Sequence, residues 1–145
     1  MRDLPRQLTE SELAELFEGH TRLVEALASR RDPLGSADEV IGELSEEAKL
    51  EALNAHPAIG ARMLSARSAA EQGSDDDPQT LAELERLNRE YEERFGFRFV
   101  VFVNRRPKRE IVPILRERLR RSREEELETA LLELVAIAED RWRRS

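Results

Sequence analysis

The chain is 145 residues long, 38% charged and 39% hydrophobic with the apolar residues interleaved throughout, which suits one domain over 1–145 and excludes a disordered chain. A net charge of -7 and a pI near 5.1 exclude a nucleic-acid binder that relies on neutralising phosphates. With no cysteine there is no disulfide framework, thiolate nucleophile or cysteine metal site, and no apolar run approaches the roughly 18 residues of a membrane span, so a cytoplasmic setting is expected.

In chain order, the N-terminal "MRDLPRQLTE" lacks the apolar stretch of a signal peptide. Thr9 with Glu12, Ser36 with Glu39 and Ser122 with Glu125 each have the spacing of a capping box, in which hydroxyl and carboxylate each satisfy an orphan backbone donor. The first helix places Leu13, Leu16 and Phe17 on one face; Leu23, Val24 and Leu27 do the same in the next segment. A break at "RRDPLGS", residues 30 to 36, precedes a helix carrying Val40, Ile41 and Leu44. Ser45 opens another with Leu50 and Leu53 inward, and it must stop near Ala55 or His56 because a residue before proline disfavours helical geometry.

"GSDDDP", residues 73 to 78, reads as a loop, with Asp77 as cap and Pro78 in the first turn of a long helix. Leu81, Leu84, Asn88, Tyr91 and Phe95 form its face, and Gly96 ends it. In "FGFRFVVFVN", residues 95 to 104, the period changes to an alternation that by itself signals a strand. No other segment supplies a partner strand, so the stretch is expected to cross a helical core as an extended piece. Helices resume after Pro107, with Ile111, Leu115 and Leu119, and after Ser122, with Leu127, Leu131, Leu134 and Ala138. "RERLRRSR", residues 116 to 123, alternates with glutamates and reads as a solvated helix face. The fold class is all-α, a compact helical bundle with one extended segment near residues 97–103.

For chemistry, the available groups are two histidines, carboxylates, arginines and hydroxyls. His20 sits between Gly19 and Thr21 at a helix junction, where a surface or capping role is expected. His56 precedes Pro57 at the junction of two helices, and both a structural and a catalytic role fit it. "SAAEQG", residues 68 to 73, offers a hydroxyl, a carboxylate and an amide with Ser68 and Glu71 one turn apart, which suits a polar ligand. It equally suits a helix C-terminus running into glycine. Histidine spacing gives no metal site, and isolated glycines give no phosphate loop, so neither a metal nor a nucleotide cofactor is expected.

Three pieces in order, "AHPAIG", "SAAEQG" and "LNREYEERFGFRFVVFV", resemble the signature segments of 2-oxo-4-hydroxy-4-carboxy-5-ureidoimidazoline (OHCU) decarboxylases, and the similarity extends more loosely over most of the chain. The resemblance implies an all-α homodimer that converts a small-molecule substrate, OHCU, to (S)-allantoin in urate degradation without cofactor or metal. It puts the family's acid–base histidine on His56 and its Ser-x-x-Glu-Gln segment on Ser68, Ala69, Ala70, Glu71 and Gln72, which would hold ureido and ring groups and orient His56. Pro57 would shape the pocket. The backbone of Phe99, Val100, Val101, Phe102 and Val103 would bind substrate, because an unpartnered extended stretch leaves main-chain donors and acceptors open to a ligand rich in NH and C=O. Val103-Asn104-Arg105 departs from the family pattern and leaves open whether Arg105 or Arg106 meets the substrate carboxylate. Two other readings fit the residues: a non-enzymatic helical module docking a partner on "FGFRFVVFV", and a relative acting on another ureido or hydantoin compound.

Overall fold

The structure, a computed structural model, describes residues 8–56 and 77–144, and among these it shows seven α-helices and no strand. They are α1 (Glu10–Phe17), α2 (Arg22–Ala28), α3 (Ala37–Glu43), α4 (Glu46–Ala55), α5 (Pro78–Phe95), α6 (Lys108–Arg118) and α7 (Arg123–Arg144). The all-α class is as expected. Contacts divide the chain into two compact units, Met1–His56 with Leu131–Ser145, and Pro57–Ala130.

In the first unit, α1 begins at a complete capping box: the Glu12 N–H donates to Thr9 Oγ1 at 3.1 Å and the Thr9 N–H to the Glu12 carboxylate at 3.0 Å. Its buried face is Leu13, Leu16 and Phe17, and α1 packs on α2, whose Leu23, Val24 and Leu27 are fully buried. The α3 start differs from expectation. Ser36 has φ -97° and ψ 4°, not the extended backbone a cap hydroxyl requires, and makes no side-chain cap bond. The preceding turn is closed instead by Asp32, which accepts from the Gly35 N–H through its carboxylate and from the Ser36 N–H through its carbonyl.

Helix α4 starts on Ser45, whose hydroxyl accepts from the Ala48 N–H. Its inward residues are Ala48, Ala52 and Leu53, while Leu50 is only half-buried. Two small residues on that face let α4 lie close to α2. Leu131, Leu134, Val135, Ile137, Ala138 and Trp142 of α7 belong to the same unit and are buried. There too Arg141, 3% exposed, donates through Nη1 to the Leu16 carbonyl at 2.9 Å and pairs through Nη2 with Glu18 at 3.1 Å. A cation at the C-terminus of α1 complements the helix dipole and holds Glu18 in its left-handed conformation, φ 65°.

In the second unit, α5 starts as the sequence predicts: Asp77 accepts from the Thr80 N–H, Pro78 occupies the first turn, and Gly96 ends the helix at φ 80°. Helix α5 packs on α6. Tyr91 is the centre of an aromatic cluster, its ring 4.6 Å from Phe95, 5.2 Å from Phe99 and 5.8 Å from Phe97. Each such tilted or edge-on pair contributes about 1 kcal/mol beyond area burial. The first turn of α7 is a second complete capping box, with the Glu125 N–H donating to Ser122 Oγ and the Ser122 N–H to the Glu125 carboxylate, both at 3.1 Å. Hydrogen bonding to its carboxylate from Ser122, through the backbone N–H first and the side chain second, holds the Glu125 carboxyl below its ordinary range.

Candidate functional site

His56 is set in place by the end of α4. The residue before a proline is driven out of helical geometry, and His56 has φ -80° and ψ 135°, with its N–H closing the last turn onto the Leu53 carbonyl. The helix that carries it is tied down, because Glu51 accepts from the Arg22 N–H, an orphan donor of the first turn of α2, at 2.7 Å. His56 is 8% exposed. The position of this buried imidazole is set by the backbone at the end of a helix. His20, by contrast, is exposed, with Nδ1 3.7 Å from Glu10, which agrees with the surface role expected of it. Pro57, Ser68, Ala69, Ala70, Glu71 and Gln72 lie outside the described residues.

The second group of candidates is the segment after Gly96. Phe99, Val100, Val101 and Val103 are buried and Phe102 half-buried, and residues 98–103 have neither helix nor strand hydrogen bonding. The expected irregular segment between helices is present, and most of its side chains are buried. Three of the segment's carbonyls have side-chain partners. Arg118 Nη1 donates to the Val100 carbonyl at 2.8 Å, Arg106 Nη2 to the Phe102 carbonyl at 2.7 Å, and Arg106 Nε to the Val103 carbonyl at 2.9 Å. Two arginine side chains thus supply the partners that a neighbouring strand would have supplied. Among the described residues, the N–H groups of Val101 and Val103 meet no acceptor.

This also places Arg105 and Arg106. Asn104 (φ 50°) and Arg105 (φ 60°) form a tight turn closed by the Arg106 N–H on the Val103 carbonyl, and the turn folds the Arg106 side chain back onto the segment. Arg105 is exposed at the tip.

The arginine-rich "RERLRRSR" stretch is not uniformly solvated, which corrects its reading from sequence. Arg116 pairs with Glu83 at the surface and helps hold that carboxyl below its ordinary range. Arg118, however, is 5% exposed, lies with its guanidinium 4.7 Å from the centre of the Phe99 ring, and donates through Nε to Glu126 at 2.7 Å. Glu126 is fully buried and accepts additionally from the Tyr91 hydroxyl at 2.6 Å and from Arg121 Nη1 at 3.0 Å. Removing one partner of such a buried pair costs about 3–5 kcal/mol, since the other charge is left uncompensated. Sequence reading missed Arg118 and Glu126 because each is embedded among like residues that do face solvent. No spacing separates them from their neighbours. Among the described residues no cluster of three or more His, Asp or Glu side chains could hold a metal ion.

Comparison with known proteins agrees with this architecture. The family model described as OHCU decarboxylase matches residues 2–143. A 2-oxo-4-hydroxy-4-carboxy-5-ureidoimidazoline decarboxylase of Haloferax volcanii is 34% identical over 137 residues, covering 86% of this chain and 81% of the relative. The uric acid degradation bifunctional protein PucL of Bacillus subtilis is 30% identical over 138 residues, 87% of this chain but 28% of that longer protein. In fold, a crystal structure of OHCU decarboxylase in the presence of (S)-allantoin superposes with a TM-score of 0.75 over 90% of this chain and 94% of that one, at 24% identity. A match running from residue 2 to residue 143, joined to 34% identity over most of a relative's length, places this chain in the OHCU decarboxylase family.

Proposed function

We propose that the chain is a carboxy-lyase that decarboxylates OHCU to (S)-allantoin in urate degradation, working as a single domain over 1–145, as a homodimer, in the cytoplasm and without cofactor. The observation that carries this reading is the family match over nearly the whole chain; the histidine that the resemblance points to, His56, is buried at the end of α4. A carboxylate leaving as carbon dioxide needs its bonding electrons delocalised into an adjacent unsaturated system, and the imidazolone ring of this substrate is one. The protein's share of the work is to hold the carboxylate out of the ring plane, to help move the proton at the 4-hydroxyl and to deliver a proton to one face.

His56 is the group for that proton, since imidazole titrates near neutral pH. Glu71 orients the imidazole. Ser68 and Gln72 bond the ureido and ring groups, Ala69 and Ala70 belong to the same substrate-binding motif, and Pro57 shapes the wall. Phe99, Val100, Val101, Phe102 and Val103 contribute main chain. Three of their carbonyls are engaged by arginines, and the N–H groups of Val101 and Val103 are donors suited to the substrate's carbonyl and carboxylate oxygens.

The test is His56→Ala, assayed on freshly generated substrate by the circular dichroism of the allantoin formed. Loss of at least about 100-fold in kcat/KM with helicity unchanged is expected of an acid–base group. Near-full activity in a folded variant would overturn the assignment. Glu71→Gln is expected to slow turnover by a similar factor.

A further inference from the structure

We propose that Arg118 and Arg106 are positioning residues that aim the N–H groups of Val101 and Val103 at the substrate, each acting through the carbonyl of the preceding residue. The proposal rests on the reading above that the main chain of this segment holds the substrate. It follows from the planarity of the peptide unit. In a trans peptide the carbonyl of one residue and the N–H of the next lie in one plane and point in opposite directions. Fixing a carbonyl therefore fixes the direction of the next N–H. Arg118 Nη1 grips the Val100 carbonyl at 2.8 Å, which sets the Val101 N–H, and Arg106 Nη2 grips the Phe102 carbonyl at 2.7 Å, which sets the Val103 N–H. Both donors then point away from the guanidinium that orients their plane.

The grip of Arg118 is itself anchored. Its Nε is held at 2.7 Å by Glu126, and Glu126 is held by the Tyr91 hydroxyl from α5 and by Arg121, so three helices and the link before α7 converge on one carboxylate. The guanidinium is planar and lies over the Phe99 ring. With Nε on Glu126 and Nη1 on Val100, rotating it breaks its bonds. A lysine in its place is a single point of charge on a flexible stem and lacks the planar fork that fixes the direction of each bond. Burying a charged network beside a peptide segment is more than packing requires, since an apolar side chain of similar volume serves packing as well or better. An oriented backbone donor is what the network adds.

The experiment measures steady-state kinetics, thermal stability and backbone amide exchange by NMR in the full chain. In the wild type, (S)-allantoin is expected to slow exchange of the Val101 and Val103 amides. Arg118→Lys is expected to raise KM about 10-fold with kcat changed less than about 3-fold, the pattern of binding lost equally from ground and transition states. The protection of the Val101 amide by allantoin is lost with it. Should Arg118→Lys not fold, Arg106→Ala, a half-buried position, is read in the same way at Val103. Absence of allantoin protection at both amides in the wild type would defeat the reading that this main chain binds ligand. Protection in the wild type together with unchanged KM in the variants, whatever their melting temperature, would leave that reading standing and overturn the role of the arginines.

Discussion

Tyr91 shows how a single residue's environment becomes measurable. Burial first, and then its hydrogen bond to Glu126, push the phenol far above its ordinary value, so the fold selects the neutral form. A group with a raised folded-state value contributes its full stability below its unfolded value, about 10 for tyrosine, and loses it as pH climbs above that. The chain has one tyrosine, so phenolate absorbance reports this site alone. The expected outcome of an alkaline titration is no phenolate signal until helicity collapses, the two changes coinciding. A phenolate signal appearing near pH 10 in a still-folded chain would contradict the buried bond to Glu126. The sequence marks Tyr91 only as one more member of an α5 face. Its role as the hydroxyl end of a charged network depends on Glu126, 35 residues away, and nothing local announces that partner.

At the scale of elements, helix boundaries were legible wherever the signal is a backbone rule. Thr9, Ser45, Asp77, Gly96 and Ser122 all stand where their chemistry puts them, and His56 leaves the helix because Pro57 follows. Ser36 is the informative exception. Its spacing to Glu39 is that of a capping box, but the turn from Asp32 delivers the chain with Ser36 already near helical φ and ψ, so its hydroxyl does not cap. Spacing shows which groups have the reach, and the entering backbone decides whether they meet. Ser122→Ala is therefore expected to lower stability by about 1 kcal/mol, as loss of a working cap does. Ser36→Ala should stay within about 0.5 kcal/mol of the parent, as a surface change does. Thermal or urea melts of the two variants side by side check the contrast, and equal losses would contradict it.

At the scale of the whole molecule, two compact units share the continuous helix α7, which gives its residues through Ala130 to one and those from Leu131 onward to the other. A helix hydrogen-bonded without interruption carries unfolding from one end to the other, so the chain is expected to melt as one cooperative body. The probes are built in. Trp142, the chain's one tryptophan, reports the first unit by fluorescence, and Tyr91 reports the second by absorbance. Coincident transitions would support a single domain, and separated midpoints would contradict it.

Taken by itself, the sequence determined the all-α class, the ends of most helices, the irregular segment after Gly96 and the residues that carry the family resemblance, because each rests on local backbone chemistry or on the order of short motifs. Tertiary structure alone decided which of the chain's many charged residues are buried. Arg118, Arg141 and Glu126 look like their exposed neighbours until residues 8 to 125 positions apart are brought together around them. Three backbone acceptors of the segment went the same way: sequence left them open for a ligand, and in the fold they accept from Arg106 and Arg118. Which partner a buried polar group finds is set by long-range packing, and one-dimensional spacing carries no record of it.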